Sequence, residues 1–197
     1  MVSSPLHISL SDQIKFQTKQ QHQELEAVLI PQIKSIRSND DYAKLLSLFY
    51  GYFAPLEKDI GALMDFRLPD FDQRRKAGTI LRDLDFIEHK GYFPVQDYVY
   101  PEIQNFFQAL GALYVMEGST LGGKFIANMI GRQLNFHSEM GLSFFNGYGA
   151  ATGNMWKQFL HILNDPQFSI LEREAAIFSA KNTFTHFTSW VRLYYKI

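Results

Sequence analysis

The stretch from Leu110 to Ile130, LGALYVMEGSTLGGKFIANMI, constrains the fold more than any other part of the chain. Leu113, Val115, Leu121, Phe125, Ile126 and Ile130 give it the apolar content of a buried helix. Yet Gly118, Gly122 and Gly123 fall within six positions, and each costs a helix interior about 1 kcal/mol relative to alanine. Glycines inside a helix have a reason in packing or in function.

The rest of the chain supports a helical setting, because helix periodicity dominates and no convincing run of alternating residues marks a strand. The patterns predict a first helix from about Ser9 to Leu29, stopped near Pro31. A second runs from the cap-like Asn39-Asp40 towards Met64, with a break before Pro55. A shorter helix covers roughly Asp72 to Leu84, followed by a loop from His89 to Pro94. The glycine-bearing helix is predicted from about Pro101 to Leu134. Two more cover Thr152 to Leu163 and Ser169 to Tyr195. The expected fold class is therefore all-α, a single domain over residues 1–197.

Composition narrows the function. Aromatic residues make up 15% of the 197 positions, with 18 Phe and 10 Tyr. That suits a generous core or a pocket for a flat apolar ligand. The absence of cysteine excludes a thiol nucleophile, a disulfide framework, cysteine-ligated zinc, thiolate-ligated haem and covalent haem attachment. A formal net charge of −1 gives no reason to expect nucleic acid or a membrane surface as partner. The first residues lack the basic and apolar regions of a signal peptide, and no apolar run reaches the ~18 residues of a membrane span. The expected location is the cytoplasm.

On a helical wheel at about 100° per residue, with Gly118 at zero, Gly122 lies near 40° and Gly111 near 20°. Tyr114, Phe125 and Met129 share that side, while Gly123 falls off it near 140°. One helix face is thus bare backbone, bordered by a tyrosine, a phenylalanine and a methionine. Two readings stand: close packing of another helix or a restart at Gly118-Ser119-Thr120, or a flat ligand laid against the backbone.

A second wall is offered by residues 15 to 29. With Ile14 at zero, Leu25, Thr18 and Leu29 form an apolar stripe, and His22 sits at its edge near 80°. Glu26 follows at i+4, within reach of the imidazole, and Lys15 lies two turns earlier on the same edge. A metal-ligating histidine needs its other ring nitrogen held by an acceptor such as a carboxylate. The plainer alternative is a boundary histidine in an ordinary helical charge pattern. No Glu-x-x-His spacing occurs, so a bundle-type di-iron site lacks its signature. His7, His89, His137 and His161 are scattered and read as unpaired. His186, in an aromatic-rich helix, is the rival to His22.

Three of these segments, in this order, resemble the haem oxygenase family, particularly its bacterial, biliverdin-producing branch. The Thr18-x-x-x-His22-x-x-x-Glu26 pattern with Lys15 before it is similar to the family's proximal helix. The run Leu110 to Gly123 resembles its distal helix and is the most specific match. The run Ala180-Lys181-Asn182-Thr183-Phe184 is similar to the helix that approaches the haem edge.

The resemblance implies a fold with haem between a proximal and a kinked distal helix. It implies that His22 is the proximal ligand of the haem iron and that Glu26 holds its other nitrogen. Gly118 and Gly122 would form the distal wall, and Lys15, Tyr114 and Lys181 would contact the haem propionates, with Thr18 also in the haem-binding set. Gly118, Ser119 and Gly122 would carry the catalytic positions. The animal-type pattern has an aspartate where this chain has Ser119, a lack that bacterial relatives share. The proton route then rests on Ser119, backbone or water. The implied reaction opens haem, both substrate and cofactor, to biliverdin, carbon monoxide and ferrous iron, using O2 and external electrons. A histidine ligand suits this, since a thiolate would favour O–O cleavage.

The donor is expected to be a ferredoxin, a flavodoxin or a reductase, meeting a monomer near Lys15, Lys19 and Lys34. One alternative is a protein that holds or senses haem without degrading it. Another is a different enzyme on the same architecture, such as a thiaminase-like hydrolase or a quinone-cofactor oxidase; the missing cysteine argues against the former.

Overall fold

The computed structural model describes residues 8–93, 98–137 and 139–197; His7, Pro94 and the opening residues behind the signal-peptide reading lie outside them. Among the described residues the ordered elements are all helical. They are α1 (Leu10–Gln17), α2 (Lys19–Lys34), α3 (Asn39–Gly61), α4 (Thr79–Phe86), α5 (Phe106–Gln133), α6 (Ser143–Asn146), α7 (Thr152–Leu163) and α8 (Ile170–Tyr195), with single 3-10 turns before α4 and α7. None is long and apolar enough to cross a membrane.

Several boundaries depart from the sequence expectation, each for a local reason. The expected first helix is divided at Thr18, whose backbone leaves the helical region while its hydroxyl donates to Ile14 O at 2.8 Å. Such back-bonding by threonine bends a helix. Pro31 then fails to stop α2, which continues to Lys34, because the carbonyl it strands belongs to exposed Ala27, where solvent can take it.

Pro55 likewise sits inside an unbroken α3. Its missing N–H strands the carbonyl of Gly51, and the Tyr100 hydroxyl donates to that carbonyl at 2.6 Å. The Asp72–Leu84 helix begins only at Thr79. The expected start of α5 at Pro101 moves to Phe106, where the Asn105 side chain accepts from Phe107 N and Gln108 N. By contrast, α8 begins where expected, because Ser169 and Glu172 form a complete capping box.

The core runs along α3, α5 and α8. Phe49, Phe53, Phe144, Phe145 and Phe187 pack edge to face or tilted, and Tyr52 stacks on Phe187 with centroids 4.6 Å apart. Two glycines of α5 allow the closest approaches. A Cβ on Gly111 would lie 2.1 Å from the carbonyl oxygen of Ala176 in α8, and one on Gly123 would lie 2.1 Å from that of Phe145 in α6. Both are positions where only glycine fits.

Candidate functional site

The histidine wall rises from α2. His22 follows the Thr18 bend by one turn, and its side chain remains 53% exposed. Its Nδ1 faces Glu26 Oε2 at 3.7 Å, beyond hydrogen-bond length but within one rotamer adjustment of it. The ring meets Phe184 of α8 edge to face, with centroids 5.4 Å apart. The first and third sequence segments are therefore in contact. Nε2, the ring nitrogen turned away from Glu26, has no partner among the described residues, the state of a nitrogen available to a ligand.

Thr18 is 3% exposed and its hydroxyl is used on Ile14 O. It shapes the helix that carries His22 rather than offering a group to a ligand. Lys15 is exposed and Lys181 half-buried; among the described residues neither has an ion-pair partner.

The glycine wall divides in two. Gly111 and Gly123 are consumed by helix packing, as above. Gly118 is not: a Cβ there would meet only the six-membered ring of Trp156, at 3.7 Å, and at Gly122 it would meet nothing within 4 Å. The fold has no steric need for glycine at either position, yet each lowers helix stability by about 1 kcal/mol relative to alanine. Gly122, Leu121 and Phe125 are all exposed. A planar group laid on this backbone would use the space that side chains vacate, so the residues present fit haem as the ligand.

Two ties set the height of one wall against the other. At one end Gln133 of α5 donates to Lys34 O at 3.1 Å and Ile33 O at 3.3 Å. At the other, the Tyr114 hydroxyl is shifted upwards in pKa, first by burial and then by the carboxylate of Asp12 on α1. The α1–α2 path and α5 thus run in the same direction.

Behind the glycines lies a charged cluster that sequence reasoning missed. Arg74, 2% exposed, donates bidentately to Asp70 (3.1 and 2.7 Å) and to Glu117 Oε2 (2.8 Å). Tyr148 donates to Glu117 at 2.8 Å and accepts from Arg75 N at 2.7 Å. The Arg75 guanidinium sits 4.3 Å over the Phe144 ring and donates to Met116 O (2.7 Å) and Ser119 Oγ (2.8 Å). Burial pulls its pKa down to about 10, leaving it charged at neutral pH. Ser119 donates in turn to Met116 O at 2.6 Å, so its hydroxyl hydrogen is engaged with backbone. The signal in the sequence was Glu117, a carboxylate in an apolar helix with Leu113 and Leu121 at i±4 and so no cation within one turn of it on that helix.

His186 has another task, since its Nδ1 bonds Val99 O at 2.9 Å. His89, read as unpaired, lies 3.4 Å from Asp40 and accepts from Gly91 N; the partner comes from a different helix and spacing could not reveal it. Two clefts, of about 580 Å3 beside Gln13 and Arg173 and about 500 Å3 beside Tyr50 and Trp190, contain none of the candidate haem-site residues. Several of their polar groups are already bonded, as with Arg173 to Ile8 O and Trp190 to Leu48 O.

Comparison with known proteins agrees with the all-α fold. A family model described as "Heme oxygenase" matches residues 90–193, just over half of the chain, spanning α5 and nearly all of α8. Three solved structures are similar along almost their whole length. The haem oxygenase of Neisseria meningitidis, solved with NO and CO bound, is 21% identical with a TM-score of 0.79, covering 96% of this chain and 94% of that one. That of Leptospira interrogans is 20% identical with a TM-score of 0.74, covering 93% and 98%. The cyanobacterial enzyme of Synechocystis, in complex with haem, is 14% identical with a TM-score of 0.72, covering 94% and 92%. At these identities the structures speak for the fold alone. No curated protein matches the sequence.

Proposed function

Because the chain belongs to the haem oxygenase family, we propose that it opens haem to biliverdin with release of carbon monoxide and ferrous iron. The reaction draws on O2 and on electrons from a ferredoxin, a flavodoxin or a reductase. The observation that carries the reading is the pair of glycines the fold does not require, Gly118 and Gly122, together with a half-exposed imidazole on α2.

In this reading haem is both substrate and the source of oxygen activation, and the chain's residues place and enclose it. His22 binds the iron through Nε2. Glu26, one turn on and 3.7 Å from Nδ1, is the acceptor that would fix the tautomer, and Phe184 meets the ring edge to face. Gly118 and Gly122 let the porphyrin lie against α5. Lys15, Tyr114 and Lys181 take the propionates. Ser119 is held by Arg75 and Met116 O, so it stabilises the distal helix from behind. Solvent reaching the open face at Gly122 then supplies protons. Lys15, Lys19 and Lys34, all exposed, favour an acidic electron donor on the proximal side.

Purified protein loaded with haemin and supplied with ascorbate or a ferredoxin system tests the reading. The expected result is loss of the Soret band and growth of a biliverdin spectrum. A Soret band that forms but persists through these conditions would instead identify a haem-holding protein.

A further inference from the structure

Gly118 has one neighbour in front of it, and that neighbour comes from α7. The six-membered end of the Trp156 indole approaches the Cβ position of Gly118 at 3.7 and 3.9 Å. Trp156 is held by rings alone: Tyr114 at 5.3 Å between centroids and buried Phe159 at 5.7 Å. No hydrogen bond among the described residues fixes its N–H, whereas the other tryptophan, Trp190, donates to Leu48 O at 2.8 Å. Its position is thus set by shape rather than by polar bonding.

The bare face of α5 is therefore unequal at its two ends. Towards Gly122 and Phe125 it is open, with nothing within 4 Å of the Gly122 Cβ position. Towards Gly118 it is closed by an aromatic edge that stands beside the backbone. A disc laid on this face can slide or turn in its own plane until its rim meets the indole. We propose that Trp156 is the in-plane stop for the tetrapyrrole, a specificity-determining residue that selects which meso edge faces the oxygen. The proposal rests on the haem-opening reading above, since it needs a planar substrate on Gly118 and Gly122.

The physical warrant is the discrimination that a rigid contact gives. Losing a stop worth one or two methylene-sized contacts relaxes selectivity on the order of tenfold. Two in-plane orientations of haem differ only in where the methyl, vinyl and propionate groups sit, so a rim contact can tip the balance between them while leaving iron ligation untouched.

The experiment compares wild type with Trp156→Phe and Trp156→Ala, each loaded with haemin. Phenylalanine keeps an aromatic ring against Tyr114 and Phe159 but falls short of Gly118. One readout is the ratio of biliverdin isomers separated after a single turnover. The other needs no turnover: the hyperfine-shifted haem-methyl proton spectrum of the ferric cyanide complex, which reports in-plane seating directly. The expected result is an unchanged Soret position, a second set of methyl resonances, and a minor isomer whose share rises on the order of tenfold in the alanine variant, less in the phenylalanine variant. Unaltered methyl shifts and isomer ratio in both variants would overturn the role of Trp156 while leaving the haem-opening reading intact. If the alanine variant does not fold, the phenylalanine variant decides by the same two readouts. Failure of the wild type to bind haemin would overturn both.

Discussion

Arg75 donates to the hydroxyl of Ser119 at 2.8 Å, and that hydroxyl donates onward to Met116 O at 2.6 Å. The guanidinium also reaches Met116 O directly, so two groups of the distal helix and one arginine close a ring of three bonds beside Gly118. The residue that stands where an acid occurs in the animal-type pattern is thus a structural acceptor. Ser119→Ala should lower stability by about 1–2 kcal/mol, the cost of leaving part of a buried cation unsatisfied, and should still bind haemin. Thermal unfolding of the apo protein and a haemin titration check the two halves; loss of haemin binding with stability unchanged would contradict this account.

Glu117 carries more. It neutralises Arg74 at 2.8 Å in a site where both side chains are almost fully buried and also accepts from Tyr148. Burial and the adjacent Glu117 charge raise the Tyr148 hydroxyl well above its usual range, so it stays a neutral donor. Glu117→Leu removes one charge and strands the other, at a cost of about 3–5 kcal/mol. Chemical denaturation should show the loss as a lower midpoint, and Glu117→Gln should recover part of it. A leucine variant as stable as wild type would show that Arg74 is satisfied by Asp70 alone.

Four of the five α5 glycines separate packing from ligand space. Gly111→Ala and Gly123→Ala each press a methyl into a carbonyl oxygen at 2.1 Å and should cost about 1–3 kcal/mol or more. Gly118→Ala and Gly122→Ala should leave the apo protein as stable or more stable by up to about 1 kcal/mol, while shifting the haem spectrum. Apo melting temperatures and haemin-bound absorption spectra on all four variants make the comparison. Equal destabilisation at all four positions would remove the case for reserved space.

Part of this was legible in advance. The wheel separated Gly123 from Gly118 and Gly122, and the structure gives Gly123 a packing partner that the others lack. The wheel also grouped Gly111 with Gly118, yet Gly111 packs on Ala176; an angle says which side a residue faces and not where along the helix a neighbour crosses. The start of α8 was readable because Ser169 and Glu172 cap it locally. Pro31 and Pro55 misled because stranded carbonyls were assumed to end helices, whereas Tyr100 rescues one from 49 positions away. The Arg74, Arg75, Glu117 and Tyr148 cluster was invisible for the same reason, since its members meet only in the folded chain.

His22 and His186 are told apart by their surroundings. Nε2 of His22 has no partner among the described residues, and its ring lies 3.7 Å from Glu26 and edge to face with Phe184, while His186 bonds the Val99 carbonyl. His22→Ala should abolish the histidine-ligated Soret and spin-resonance signals of the haemin complex. His186→Ala should keep them and lose about 1 kcal/mol of stability with its hydrogen bond. The reverse pattern would move the iron ligand to α8.

Acid should loosen the molecule first at the start of α3. Asp40 accepts from Lys44 at 2.8 Å and from the Tyr92 hydroxyl, and lies 3.4 Å from His89. Lys44 first and Tyr92 second hold its pKa at about 2, against an ordinary 3.8. Its folded value therefore lies below its unfolded one. The stabilisation is fully present above pH 3.8 and is lost as pH falls towards about 2. The same contacts pin the 88–92 turn to α3, where Tyr92 N also donates to Ser47 Oγ at 2.7 Å. The wild-type melting temperature should fall through that window, and Asp40→Asn should fall less, because its side chain has no charge left to titrate. Melting curves collected at several pH values on both proteins provide the check, and parallel declines would show that Asp40 contributes nothing to acid sensitivity.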